Sequence, residues 1–554
     1  MNFYSDNDRL KFYLNHPDMK KTVELKEQFF VDYGQYADAP ANAEEGIEHY
    51  EQVMDLVGEI AGSVLAPNAE SVDAEGSNIE DNKVVYAKGT AANHAALTQA
   101  GLYGMSLPRK YNGLNLGYVP YVMAAELISR ADAGFANIWG LQECADTIYE
   151  FASDEIKEKY LRRIHEGATC SMDLTEPDAG SDLQAVRLKA TWDEASNCWR
   201  LNGVKRFITN GGADIHLVLA RSEEGTTDGR GLSYFVFDRA DGGLTVRRLE
   251  NKLGIHGSPT AELVYKNAPA QIVGDRKLGL IKYVMALMNG ARLGVGSQSV
   301  GLAEAAYREA LAYAATREQF GKTIDQFHQV QELLESMRTK IDASRTLLYE
   351  TARRVDLTKS YEALAKVRPL TPEERKDYKL NARMADALTP MLKLMSSEWA
   401  NQVAYDTIQI HGGSGFMREY PCERMYRDAR ILSIYEGTSQ LQVVAAVKSI
   451  GNGMYVNNIE MYDAQYMSAD NRTDEQNALR QQLVEMTEQY KSLYEKARQM
   501  EVVPERRLTE MLAYITMGYL LLLDSLRCEC FIPSLRNLIA MGRGEMAKHA
   551  TFIQ

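Results

Sequence analysis

The sequence predicts an α+β multidomain protein: a helical N-terminal domain, an antiparallel β middle domain, a C-terminal helical bundle and an extra C-terminal helical unit. Three observations carry this reading. At roughly 100 to 200 residues per domain, 554 residues call for several domains. The apolar period shortens from a helical to a strand spacing between about Cys170 and Ala270, and lengthens again after Lys282. Amphipathic stripes at 3-4 spacing then recur as far as Ala497.

Residues 1–44 read as an N-terminal extension and 45–165 as the helical N-terminal domain, broken at Pro67, at Pro108 and at the Asn112-Gly113 turn. Within 166–282, the runs Arg187 to Trp192, Trp199 to Ile208, Ile215 to Arg221, Leu232 to Asp238, Leu244 to Leu249 and Ala261 to Tyr265 alternate apolar and polar residues between Gly, Asn and Asp. Asn202-Gly203 reads as a hairpin turn. Residues 283–452 form the bundle, where Phe327, Val330, Leu334, Met337, Ile341, Leu348, Ala352 and Val355 make one apolar stripe. The charged, proline-marked stretch near 357–388 reads as an insertion with its own short helix, with Thr371 as N-cap, Pro372 in the first turn and Glu374 closing a capping box. Beyond Gly453 a polar linker leads into the last unit, 453–554. There Leu479, Leu483, Met486, Tyr490, Leu493 and Ala497 mark an amphipathic helix that ends before Pro504.

With 62 Lys+Arg against 76 Asp+Glu and a formal net charge of −14, neither nucleic acid nor an anionic membrane is the expected partner. The six cysteines include no CxxC pair and read as reduced thiols, and Cys528-Glu-Cys530 lacks the His or Cys cluster that would complete a metal site. The start, MNFYSDNDRL, has no basic region followed by an apolar one, and the most apolar window, Met511 to Leu523, is too short for a bilayer. A cytoplasmic protein without a transmembrane segment is expected.

No GxGxxG after a strand, GxxxxGK[ST], HExxH or GxSxG occurs, which removes the commonest nicotinamide, nucleotide-hydrolase, zinc-protease and hydrolase readings. Four segments are instead unusually dense in Gly, Thr, Ser and Gln. They are Met172-Asp-Leu-Thr-Glu-Pro-Asp-Ala-Gly-Ser-Asp182, Arg206-Phe-Ile-Thr-Asn-Gly-Gly212, Arg317-Glu-Gln-Phe-Gly321, and Gln409-Ile-His-Gly-Gly-Ser-Gly-Phe416 leading to Ile434-Tyr-Glu-Gly-Thr-Ser-Gln-Leu-Gln442. Singly, each has a plain reading as a turn, a solvated helix end or a helix terminator. Together and in this order, across about residues 45 to 450, they resemble the acyl-CoA dehydrogenase family. The layout after residue 453 and near 357–388 is similar to the extended bacterial branch that includes the 3-methylmercaptopropionyl-CoA dehydrogenases.

The resemblance implies that the C-terminal domain is a four-helix bundle and that the cofactor is FAD. It implies α,β-dehydrogenation of an acyl-CoA thioester to the trans-2-enoyl-CoA, with electrons passed to an electron-transfer flavoprotein. No side chain takes up hydride, so an organic acceptor is required. Glu436 falls at the family's base, and its pKa would have to rise by burial for that role. Some branches carry the base on the helix that opens the bundle, but Leu287-Met-Asn-Gly-Ala-Arg292 holds no carboxylate. The family pattern places Met172, Leu174, Thr175, Gly180, Ser181, Phe207 and Thr209 around the isoalloxazine, with Phe207 where many relatives have Trp. Arg317, Gln319, Phe320, Gln329, Gln409, Gly412 and Gly413 match residues reaching a partner's adenosine and pyrophosphate, which implies a homo-oligomer with the dimer favoured over the tetramer. Thr438 and Gln440 match positions near the same cofactor. Ser181, Asn289, Arg292 and Gly437 match substrate positions, although Asn289 stands where some members carry an acid. The acyl group depends on which side chains in about residues 100 to 150 and 285 to 300 face inward. An acyl-CoA oxidase and a non-catalytic flavoprotein on the same fold are the competing expectations.

Overall fold

The computed structural model describes residues 1–553 and divides into two compact units, Met1–Gly294 and Val295–Gln554. In the first, helices α1 (Asp8–Leu14), α2 (Met19–Lys26), α3 (Ala43–Ile60), α4 (Ala66–Glu75), α5 (Lys88–Gln99), α6 (Tyr118–Ala131), α7 (Ala133–Gly140), α8 (Glu143–Phe151) and α9 (Asp154–His165) accompany a small hairpin of β1 (Asn78–Glu80) and β2 (Lys83–Val85). Apart from its first residue, α6 is buried throughout, so it forms the centre of this helical part. Pro67 does not break the chain. A π-helical turn, Ala61–Leu65, joins α3 to α4, and Pro67 sits in the first turn of α4, where a missing N–H costs little.

The sheet of the first unit comprises β3 (Cys170–Asp173), β4 (Lys189–Asp193), β5 (Cys198–Thr209), β6 (Ile215–Arg221), β7 (Leu232–Asp238), β8 (Leu244–Leu249) and β9 (Thr260–Ile272). Antiparallel pairs β4–β5, β5–β9, β9–β7 and β7–β6, with one β6–β4 bridge, return the sheet on itself. β3, absent from the sequence reading, adds in parallel to β6. The two faces of β6 enter different cores. Ile215, Leu217 and Leu219 pack with helix residues such as Ile148 and Leu161, while Val218 and Ala220 pack inside the closed sheet with Phe235 and Leu263.

Asn202-Gly203 is not a hairpin turn. It lies inside β5 at a register shift, and the β4–β5 turn falls between Asp193 and Cys198. Gly203 is required there because its φ is 148° and a Cβ would stand 2.9 Å from the Leu188 backbone.

Helix α10 (Met285–Thr316) begins in the first unit and runs into the second, which continues with the hairpin of β10 (Glu318–Gln319) and β11 (Lys322–Thr323). Helices α11 (His328–Val367), α12 (Pro372–His411), α13 (Cys422–Ala429), α14 (Ser439–Gly451), α15 (Met454–Met467), α16 (Asp474–Ala497), α17 (Glu505–Arg527) and α18 (Ile532–Ala550) complete it. The stretch near 357–388 is not an insertion with a short helix: it is the end of α11, a four-residue turn and the start of α12. The Thr371 and Glu374 capping box starts a 40-residue helix. The expected linker after Gly453 is α15, which buries Tyr455, Ile459, Tyr462 and Tyr466. The α16 stripe is buried as the sequence predicts. Cys528 and Cys530 are not both free thiols, because their sulfurs are bonded in the turn after α17; the other four cysteines are free. Among the described residues no helix is long and apolar enough to cross a membrane.

The α11 stripe underestimates burial. Every residue from Thr339 to Arg353 is buried, because α17 and α18 cover the side the stripe leaves polar. Polar groups there pair across the contact, with Thr346 Oγ1 donating to Asp524 at 2.7 Å, Ser534 Oγ to Asp342 at 2.7 Å and Tyr462 OH to Glu350 at 2.9 Å. On α10, buried Glu304 accepts from Arg308 at 2.7 Å and from Arg345 at 2.9 Å. Burial alone would raise its carboxyl, but Arg345, Arg338 and Arg308 outweigh it and hold the group well below the usual carboxylate range. This stabilisation is therefore full above the unfolded carboxyl pKa, near 4.5, and is lost as pH falls below it. Glu304→Gln should cost about 3 kcal/mol or more at pH 7, since it strands the buried Arg345 guanidinium. It should also flatten the decline in stability below pH 4.5, read by urea unfolding at stepped pH.

Candidate active site

Each unit holds some of the residues that the sequence singles out. In the first, the segment after β3 is fastened from below. Lys205, fully buried on β5, donates to the Leu174 carbonyl at 2.8 Å and to Glu176 at 2.9 Å, and Arg206 N donates to the Thr175 carbonyl at 2.9 Å. Glu176 also accepts from the backbone N–H of Arg187 and Leu188, at 2.7 and 2.9 Å. Burial lowers the Lys205 pKa, and the Glu176 charge resists that shift. Leu174 and Thr175 are thereby fixed, while Gly180 and Ser181 lie exposed just beyond, where a Cβ on Gly180 would meet nothing closer than 3.9 Å.

The second strand segment is shaped by a bulge. Lys205 pairs with Leu263 and Ile208 with Ala261, so Arg206 and Phe207 together oppose Glu262. Phe207 takes a left-handed φ of 59° and is 53% exposed, with Arg206 over its ring at 4.7 Å. Ile208 turns inward, Thr209 is half-buried, and buried Asn210 donates to the Cys170 carbonyl at 3.0 Å, tying this segment to β3. An aromatic ring held outward beside an open backbone loop suits a flat aromatic ligand.

In the second unit, Glu436 lies between a 3-10 turn and α14, with φ of 53°, followed by Gly437 at 89°. Left-handed backbone at a non-glycine residue costs about 1 kcal/mol or more and needs support from its surroundings. That support comes from three side chains: buried Lys393 donates to the Gly437 carbonyl at 2.7 Å, Gln442 donates to it at 2.9 Å, and Thr438 caps α14 through Leu441 N. Tyr435 OH donates to Gln298 of α10, and burial, then the charge of Glu436, pushes the phenol well above its ordinary value. Gln440 is exposed on the first turn of α14.

The remaining expected residues gather at two places. Asn289 is exposed near the start of α10 and accepts from half-buried Arg292 at 3.2 Å. At the far end of α10, Arg317 starts the β10–β11 hairpin, whose tip is Phe320 with φ of 52° and 93% exposure. Gln319 shares that hairpin, and Gln329 is exposed in the first turn of α11. Gln409, Gly412 and Gly413 close α12 at the same end, since Tyr313 of α10 stacks on His411 at 4.1 Å and donates to Ser414 at 3.2 Å. A Cβ on Gly412 or Gly413 would meet nothing within 4 Å, so this end presents bare backbone beside exposed Phe320 and Phe416.

The sequence reading missed the residues that hold these loops. Glu176 stands inside the Met172–Asp182 segment, and Lys393 carried a signal, a lone cation inside the apolar run Met391 to Met395, whereas Gln298 and Lys205 carried none. It also missed Glu143 on α8, whose carboxylate lies against α10: a Cβ at Gly290 or Gly294 would stand 3.7 or 3.4 Å from its oxygens. Among the described residues no cluster of His, Cys, Asp and Glu could hold a metal.

The sequence matches the acyl-CoA dehydrogenase N-terminal domain over residues 47–168, the middle domain over 171–268 and the C-terminal domain over 281–369 and 373–450; residues 451–554 match a further domain described as acyl-CoA dehydrogenase C terminal. The chain belongs to the acyl-CoA dehydrogenase family. It is 35% identical to the 3-methylmercaptopropionyl-CoA dehydrogenase of Ruegeria pomeroyi over 416 residues, 70% of this chain and 68% of that one. It is 34% identical to an acryloyl-CoA reductase (NADH) of Anaerotignum propionicum over 405 residues, 72% and 94% of the two chains. A crystal structure of an acyl-CoA dehydrogenase from Bacillus anthracis complexed with FAD superposes with a TM-score of 0.73 at 25% identity, covering 92% of this chain and 89% of that one. Members of the family are FAD-dependent oxidoreductases acting on CH–CH groups, and this acyl-CoA dehydrogenase keeps the open β-domain loops and aromatic face that such a cofactor needs. Lys205→Met should destabilise the first unit by roughly 3 to 5 kcal/mol by stranding Glu176. The measurement is calorimetry of the cofactor-free chain.

Proposed function

We propose that the protein dehydrogenates an acyl-CoA thioester between its α and β carbons, with Glu436 as the base. The observation that carries this reading is the strained Glu436-Gly437 backbone, held by Lys393 and Gln442. Strain of this kind, supported from a buried side chain, is kept where a carboxylate must stand in one position. Glu436 takes the α proton, and its own backbone N–H, as a donor to the thioester carbonyl, steadies the charge that develops on oxygen. Tyr435, fixed on Gln298, limits the movement of the adjoining loop.

Met172, Leu174, Thr175, Gly180, Ser181, Phe207 and Thr209 would hold the isoalloxazine of FAD, with Thr438 and Gln440 close to the same cofactor. When bound, FAD supplies the acceptor for the β hydride. Arg317, Gln319, Phe320, Gln329, Gln409, Gly412 and Gly413 would serve the cofactor's adenosine and pyrophosphate half in a partner subunit, an assignment supported by their gathering at one exposed end of the bundle. Arg292, steadied by Asn289, would bind the CoA moiety, with Ser181 and Gly437 beside the acyl thioester. An electron-transfer flavoprotein is the proposed acceptor of the electrons, in the cytoplasm. The likeness to an acryloyl-CoA reductase supports a second reading, delivery of hydride to a short enoyl-CoA, in which Glu436 returns the proton.

Glu436→Gln should keep FAD and bind acyl-CoA but lose turnover by several orders of magnitude, because an amide cannot take the α proton. Flavin bleaching by a panel of acyl-CoAs, and recolouring by enoyl-CoAs, measures both directions. Near-normal bleaching in this variant would move the base elsewhere.

We further propose a homodimer. The shared cofactor end calls for a second subunit, and α17 and α18 occupy a face of α11 that would otherwise be open to another pair. Light scattering of the full chain should give twice the chain mass. A tetramer would reject the replacement of one interface by the C-terminal helices, and an FAD-loaded monomer would reject the shared site as well.

A further inference from the structure

Directly behind the strand assigned to the flavin lies a set of polar side chains that the proposed reaction does not use. Ser171, Asp173 and His216 are wholly buried, and Tyr265 is nearly so. Ser171 Oγ lies 2.7 Å from both Asp173 Oδ1 and His216 Nδ1. His216 Nδ1 is 3.0 Å from Asp173 Oδ2, to which Tyr265 OH also donates, and His216 Nε2 is 3.0 Å from the Ala213 carbonyl. Phe237 packs its ring against both His216 and Tyr265, so no water shell surrounds the group.

The hydrogen-bond pattern closes the group on itself. A carbonyl oxygen has no proton to give, so His216 Nε2 donates to Ala213. Nδ1 lies between the Ser171 hydroxyl and the Asp173 carboxylate. Burial would raise the Asp173 carboxyl, but the neighbouring His216, Tyr265 and Ser171 together lower it. Charged groups that also face this set are Lys205, engaged by Glu176, and Arg239, which faces Tyr265.

Alternation along β3 gives the pair its place. Cys170 and Leu174 belong to the core shared with the helices, and Met172 packs against it, whereas Ser171 and Asp173 face the inside of the closed sheet. The Asp173–His216 pair thus grips the back of the two-residue repeat whose front presents Met172 and Leu174. Buried polar pairs add little net stability over apolar packing, so one kept here is suited to fixing position.

We propose that Asp173 and His216 are positioning residues for the flavin: a buried carboxylate and the imidazole hydrogen-bonded to it, which together hold β3 in place behind the ring. This rests on the assignment of Met172, Leu174 and Thr175 to FAD made above.

The test is FAD titration of the cofactor-free protein and the midpoint potential of the reloaded enzyme. Asp173→Asn removes the carboxylate charge and should raise the potential, while His216→Gln keeps the carboxylate and should leave the potential without that rise. Each should weaken FAD binding by about tenfold. Tyr265→Phe removes one donor and leaves the carboxylate, so it should weaken FAD several-fold with the potential near native, and it serves if the other two variants do not fold. Native affinity in Tyr265→Phe, an unchanged potential in folded Asp173→Asn, or an equal rise in both Asp173→Asn and His216→Gln would overturn the proposal, since loosened packing moves both alike. A wild-type chain that takes up no FAD would instead overturn the flavin assignment.

Discussion

The Lys393 ammonium on the Gly437 carbonyl is the contact around which the second unit is organised. Lys393 is fully buried on α12, a place where a cation is tolerated only if its charge is met by oxygen. Met391, Leu392, Leu394 and Met395 around it are apolar and buried, so the loop carbonyl is an acceptor within reach and the loop is drawn onto the helix. That draw holds Glu436 in a left-handed conformation it would not choose alone. Gln442 reinforces the same oxygen from α14, while Ser439 Oγ donates to Glu398 of α12 at 2.6 Å. The position of the carboxylate is thus a consequence of burial in a helix that does not itself carry it.

How much of this is legible in the sequence depends on whether the cause is local. The strands from β4 to β9, the Thr371 capping box and the α16 stripe follow from alternation, N-cap chemistry and helical spacing, which are encoded within a few residues of where they act. The motif segments likewise carry their own order. What escaped reading is long-range. Asn202-Gly203 has the composition of a turn, but Asn202 accepts from Asn267 N at 2.9 Å and Gly203 lies against Leu188, so pairing with β9 and packing overrule the local preference. The stretch near 357–388 looks like a separate insertion because its outer face is charged, yet both flanking helices continue through it and only four residues turn the chain.

The same distinction explains α11. A single apolar stripe describes a helix with one solvated face, and the sequence shows one such stripe. The helix is nevertheless enclosed from Thr339 to Arg353, because α17 and α18 cover the rest, with Thr346 and Asp342 satisfied by Asp524 and Ser534, and Glu350 by Tyr462 of α15. Polar residues on that face are matched to partners roughly 110 to 190 positions away. Periodicity cannot reveal a partner of that kind, since a polar residue facing water and one facing a buried hydroxyl read alike.

Both units therefore place costly buried ions behind loops rather than in open clefts. Lys205 and Glu176 stand under Leu174 and Thr175, the Asp173–His216 pair stands behind Met172, and Lys393 stands under Gly437. An apolar side chain in any of these places would fill the same volume without a desolvation cost, but it would give the adjoining backbone no preferred position. Directional contacts to a named carbonyl or amide remove that freedom. The chemistry proposed here moves a proton and a hydride in opposite directions from neighbouring carbons, and misplacement of a base by about 1 Å can cost two orders of magnitude in rate. Ions that hold loops are consistent with that demand.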